Sequence, residues 1–204
     1  MDTETKLAIN EMVEKYNPHT VILYGSRARG DAFEESDVDL ACFVDGSEMF
    51  EDTRYHHGVF IDAWVYPTEL MNEVVEFIKL RKACCVIDKR GLGQRLVREV
   101  EKEYQKGPSP LSHLDKKNFI ELRQKILKQA SKGGLEGNYR KAWLQSDLLP
   151  SYFILRGLWY FGSKQSFSWL EANDEVAFEL FSDVYEEPQD IEKLKKLTVF
   201  VITV

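Results

Sequence analysis

Leu23-Tyr-Gly-Ser-Arg-Ala-Arg-Gly-Asp-Ala-Phe-Glu-Glu-Ser-Asp-Val-Asp-Leu-Ala-Cys-Phe-Val44 is the stretch on which the fold turns. Its first residues end an apolar strand (Thr20–Tyr24) that runs into Gly25-Ser26 and a short helical turn. Its last residues, Asp37–Val44, read as a second strand. Strand side chains alternate faces, so Asp37 and Asp39 are expected to point the same way. Two carboxylates side by side repel each other, and a divalent cation removes the repulsion. Oxygen ligands at this spacing suit Mg²⁺, which keeps waters and takes phosphate oxygens from its substrate. Gly25 would let the backbone approach a phosphate. Ser26 and the N–H groups after it would supply donors.

Working outward, a third carboxylate appears in Gly58-Val-Phe-Ile-Asp-Ala-Trp-Val-Tyr66, an apolar strand with Asp62 at its centre. A lone buried carboxylate costs several kcal/mol unless it is paired or metal-bound. The bland alternative has Asp37 capping a turn, Asp39 in an ion pair and Asp62 facing water. Against it stands the joint pattern: Gly-Ser, ten intervening residues, Asp-x-Asp, then an acidic residue on a later strand. That pattern resembles the signature of the polymerase-beta-like nucleotidyltransferase superfamily.

The flanking elements follow from periodicity and punctuation. Thr3–Tyr16 reads as a helix stopped by Asn17-Pro18, and Ser47–Thr53 as a short helix. His56-His57 reads as loop, and Val59–Tyr66 as strand three. Glu69–Leu80 reads as a helix, Ala83–Asp88 as a fourth strand, and the chain after Gly93 as a helix to Lys106. Gly107-Pro-Ser-Pro-Leu-Ser112 is the best linker, with two prolines and no periodicity. Beyond it everything reads helical: Asp115–Ser131, Tyr139–Leu149, a helix restarted by Pro150 over Ser151–Phe161, Ala172–Tyr185, and Ile191 onward. The expected class is α+β. Residues 1–107 are expected to form an α/β domain with a small mixed sheet and residues 112–204 an all-helical bundle; resemblance to the nucleotidyltransferases implies nucleotide binding for the first and acceptor binding for the second.

Composition sets limits. With 44% hydrophobic and 30% charged residues, this is an ordinary globular chain. No apolar run approaches the ~20 residues of a membrane span. The acidic start, Met1-Asp-Thr-Glu-Thr, shows no secretory signal, and three cysteines make no disulfide framework; both point to the cytoplasm. The net charge of −7 falls within residues 1–107, and the remainder is balanced. Neither half offers the basic field that grips a polynucleotide, so no nucleic-acid partner is expected. The sequence assigns no oligomeric state.

Within the superfamily, the two-part organisation is similar to the aminoglycoside and lincosamide nucleotidyltransferases (adenylyltransferases). That resemblance implies Mg²⁺, two ions, on Asp37, Asp39 and Asp62, with Asp62 as metal ligand, general base or both. It implies nucleotide binding by Gly25, Ser26 and Ser36. Arg27 flanks the phosphate loop and is favoured over Arg29 for a phosphate contact. In the second part, Asp147–Tyr160 resembles a helix that opens on an acidic residue and ends in Trp-Tyr. There Asp147 would meet the acceptor, and Arg156, or Lys164 in its place, the nucleotide phosphates. Trp159 and Tyr160 read as core before ligand. The implied reaction moves a nucleoside monophosphate, AMP from ATP as first choice, to a hydroxyl of a small acceptor, releasing pyrophosphate. The alternatives are a toxin–antitoxin type protein AMPylator and a non-catalytic nucleotide-binding module.

Overall fold

The computed structural model describes residues 1–203. The chain divides into two compact units, Met1–Lys106 and Gly107–Val204. In the first, helix α1 (Thr3–Tyr16) starts where Asp2 accepts a hydrogen bond from the Thr5 amide, 2.7 Å, and stops at Asn17 in the left-handed conformation. Strand β1 (Thr20–Tyr24) then leads into α2 (Gly25–Arg29), closed by Gly30 at φ 82°. Strands β2 (Val38–Val44), β3 (Phe50–His56), β4 (Val59–Pro67) and β5 (Cys84–Asp88) complete a mixed sheet of order β3-β4-β2-β1-β5. Only the β2–β4 pair is parallel. Helix α3 (Leu92–Lys106) ends the unit.

The sheet has a core on each face. Val38, Leu40 and Cys42 of β2, with Ile61, Ala63 and Val65 of β4, pack with Ala8, Ile9 and Met12 of α1. Their alternates, Ala41, Phe43 and Tyr66, pack with Phe77, Leu80, Leu96 and Val100. Covering both faces explains why β1 is buried at every position.

Two elements of this unit differ from the sequence reading. Ser47–Thr53 holds no helix; Phe50–His56 pairs antiparallel with β4, and His57-Gly58, both at positive φ, make the two-residue turn that joins them. His56, read as loop, is the last residue of β3. The expected helix Glu69–Leu80 is two 3₁₀ segments, Thr68–Asn72 and Val74–Leu80, broken at Glu73 (φ −89°, ψ 66°). Met71, Phe77 and Leu80 still bury the apolar side that suggested a helix.

The second unit is helical: α4 (His113–Ala130), α5 (Gly134–Leu155), α6 (Gly162–Asn173), α7 (Glu175–Glu186) and α8 (Ile191–Ile202). Leu144, Leu148, Tyr152, Phe181, Leu194, Leu197 and Val201 fill its core. Helix α5 runs unbroken through Pro150, so Asp147 lies in its interior and not at a helix start. The expected Ala172–Tyr185 helix is divided at Asp174, whose carboxylate accepts from the Ala177 amide and caps α7. Among the described residues no helix is long and apolar enough to cross a membrane.

Candidate active site

The parallel β2–β4 register places Asp39 directly opposite Asp62. On the other side of β2, Asp39 faces Tyr24, the last residue of β1. Strand alternation puts both carboxylates on the sheet face that carries Ala41, Phe43, Trp64 and Tyr66. Asp37 is exposed just ahead of β2.

Two negative charges in a half-buried place are costly. Burial first, then the charges of Asp62 and Asp37, push Asp39 up to about 6. Burial first, then Glu51 and, further down, Asp37, also raise Asp62, with Lys79 opposing them. One Asp62 oxygen, Oδ1, is buried with no hydrogen-bond partner among the described residues. An unsatisfied buried acceptor costs about 1–3 kcal/mol, more for a charged group.

Gly25 explains how Asp39 fits. At φ 70° its backbone passes so close that a Cβ there would lie 1.9 Å from Asp39 Oδ2. The missing side chain therefore makes room for the carboxylate. Ser26 is the second residue of α2.

Arg27 braces the entry to β2. Its side chain is 6% exposed, and it donates to the carbonyls of Ser36 (2.7 Å from Nη2) and Asp37 (3.2 Å from Nε), with Asp2 and Glu4 as ion partners. Ser36 Oγ accepts from the Phe33 amide, 2.9 Å, folding the intervening loop. Arg29 pairs with Asp31 and, unlike Arg27, figures among the positive charges that counter the rise at Asp39.

Among the described residues, no group of three or more His, Cys, Asp or Glu side chains is gathered as a metal-holding set. What fits a divalent cation here is the Asp39–Asp62 pair, the orphaned Asp62 oxygen, and Asp37 within electrostatic reach. Hard oxygen donors of this kind suit Mg²⁺.

Two groups were missed from sequence. Glu51 raises Asp62 through its charge, but the segment holding it was read as helix, so its face was lost. Lys79 stands over three rings of the same face; no motif marks it, though its place four positions after Val75 on an apolar segment offered no reason to look.

The second unit holds the other expected residues. Both oxygens of Asp147 are taken by Arg123, at 2.8 Å each, and Ser151 adds a donor at 2.9 Å. Arg156 follows α5, stacks on Tyr152 with its guanidinium 3.9 Å from the ring centroid, and donates to the carbonyls of Phe200 and Val201. Lys164 is exposed in the first turn of α6. Trp159 is half-buried, and Tyr160 lies 38% exposed beside Phe153.

Residues 8–88, from within α1 to the end of β5, match the family model described as Polymerase beta, Nucleotidyltransferase. No curated protein matches the chain. Among solved structures the chain is similar to a nucleotidyltransferase-like protein from Exiguobacterium sibiricum 255-15, at 10% identity and a TM-score of 0.46, over 97% of this chain and 72% of that one.

Proposed function

We propose that the protein is a Mg²⁺-dependent nucleotidyltransferase that moves a nucleoside monophosphate, AMP from ATP as first choice, onto a hydroxyl of a small acceptor such as an aminoglycoside or lincosamide. The observation that carries this is Asp62 Oδ1, a buried carboxylate oxygen without a partner, beside Asp39 on a parallel strand. Such an arrangement is unfavourable unless a cation completes it.

Asp37, Asp39 and Asp62 would hold the metal, two ions when the triphosphate is present. Bound there, Mg²⁺ would neutralise phosphate charge and lower the pKa of the acceptor hydroxyl. The chain's own groups then do the positioning, which carries most of the catalysis in such reactions. Gly25 and Ser26 present backbone and hydroxyl donors to the triphosphate. Ser36 and Arg27 keep the loop in shape, and Arg27 fixes Asp37 through the carbonyls it binds. Asp62, raised by burial, suits the task of taking the acceptor's proton.

The roles of Asp147 at the acceptor and of Arg156 and Lys164 at the phosphates rest on the family resemblance. Asp147 and Arg156 would have to share side chains already engaged within their own unit. The cytoplasmic location and a role in antibiotic resistance belong to the same proposal.

The test is label transfer. ATP labelled at the α- or the γ-phosphate is incubated with the protein and a panel of aminoglycosides, lincosamides and other polyols. The α-label should move to an acceptor while the γ-label leaves as pyrophosphate. Transfer of the γ-label would make the enzyme a kinase and refute the proposal.

A further inference from the structure

We infer that Lys79 is the resident counter-ion of the carboxylate pair, a tethered cation that balances the acids in the metal-free protein and competes with the divalent ion for them. The inference rests on the reading of Asp39 and Asp62 as metal ligands. It adds a positioning residue that neither the motif nor the family match supplies.

The Lys79 ammonium lies over three rings, with centroids 5.1 Å away at Tyr24, 5.4 Å at Trp64 and 5.8 Å at Tyr66. These rings belong to the site. Tyr24 pairs with Asp39 across β1 and β2, and Trp64 and Tyr66 follow Asp62 by two and four positions on the same face of β4. A cation over several aromatic faces is attracted to their negative quadrupoles, and the gain grows when it is partly desolvated. The rings thus hold the ammonium beside the acids without using up the carboxylate oxygens. Burial holds the Lys79 ammonium below the usual lysine range, and Asp62, Asp39 and Glu51 are the negative charges that oppose that fall.

Its side chain is placed by the 3₁₀ segment Val74–Leu80, where the neighbouring Phe77 and Leu80 are buried in the core. The backbone that carries Lys79 is therefore anchored. A structural lysine would be expected to point its head into water. Lys79 is exposed as a residue, yet its ammonium lies over three rings of the sheet face that carries Asp39 and Asp62.

A fixed positive charge near a divalent site opposes the metal and stabilises the empty site. Removing it should do the reverse on both counts. The test uses Mn²⁺ alone, without nucleotide, and follows its binding by the loss of its free paramagnetic signal. Lys79→Met keeps chain length and packing, and Lys79→Arg keeps the charge. Lys79→Met should bind Mn²⁺ about tenfold more tightly than wild type. It should also melt lower in chelator, with the loss cancelled at saturating Mn²⁺. Lys79→Arg should restore both properties. Equal Mn²⁺ affinity for wild type and Lys79→Met, or a stability loss that persists unchanged at saturating Mn²⁺, overturns this inference and leaves the metal reading standing. No Mn²⁺ binding by wild type overturns both. If Lys79→Met does not fold, Lys79→Gln carries the same comparison.

Discussion

Asp39→Asn should stabilise the metal-free protein at alkaline pH, opposite to what most substitutions near a core do. The amide keeps the size of the carboxylate and removes its charge. Burial and the neighbouring acids raise the folded-state pKa from 3.8 to about 6. The folded protein therefore holds this proton more tightly than the unfolded chain. Its favourable contribution is complete below pH ~4 and is lost as the pH climbs through 6. The full shift corresponds to about 3 kcal/mol. Partial exposure and the sharing of charge with Asp62 reduce this to about 1–2 kcal/mol. Urea unfolding in chelator at pH 8 should give the variant the higher midpoint, and at pH 4 the two proteins should coincide. Saturating Mg²⁺ at pH 8 should reverse the order, because ligand binding stabilises only the protein that binds it. A variant less stable than wild type in chelator at pH 8 would refute the idea that Asp39 is held in an electrostatically unfavourable place.

Other outcomes test separate parts of the account. Gly25→Ala should cost about 2 kcal/mol or more, from the positive φ and from the Cβ that would overlap Asp39 Oδ2, and should weaken Mg-ATP binding; unchanged melting and binding would refute the close approach. Asp147→Ala strands a buried guanidinium and should destabilise the helical unit by about 2–4 kcal/mol, while Arg123→Met combined with Asp147→Leu recovers much of the loss; chemical denaturation of the two variants beside wild type decides it. If Asp147 also meets the acceptor, Asp147→Asn raises the acceptor KM and leaves Mg-ATP affinity unchanged. Arg156→Ala should lower stability by about 1–3 kcal/mol, through the carbonyls and ring it leaves, and should also weaken Mg-ATP binding if the side chain meets the phosphates; unchanged melting would refute the first part and unchanged affinity the second.

The sequence was most informative where periodicity and punctuation agreed. Thr3–Tyr16 was read to the residue because Asn17-Pro18 closes the helix, and the Asp-x-Asp strand was recognisable as an apolar run, although it begins at Val38 and leaves Asp37 just ahead of it. The parallel pairing that sets Asp39 against Asp62 was not legible, since register between strands distant in sequence is decided by packing on both faces. Phe50–His56 was misread because its polar residues, Glu51, Thr53 and Arg54, carry no strand signal without the partner β4. With that strand went Glu51. Lys79 could not be found because its significance lies in rings from two strands that only the fold collects. Arg27 and Asp147 were marked by position, but their partners, backbone carbonyls and a buried arginine, are tertiary facts.

The central claim, that the carboxylate face of the first unit binds a metal–nucleotide, is tested most directly by calorimetry. Each of the four nucleoside triphosphates is titrated into wild type and into Asp39→Asn, in Mg²⁺ and in chelator. The account predicts that at least one triphosphate binds wild type in Mg²⁺, and that this binding disappears both on chelation and in the variant. Binding of equal strength in chelator, equal binding by Asp39→Asn, or no triphosphate bound in Mg²⁺ would contradict it.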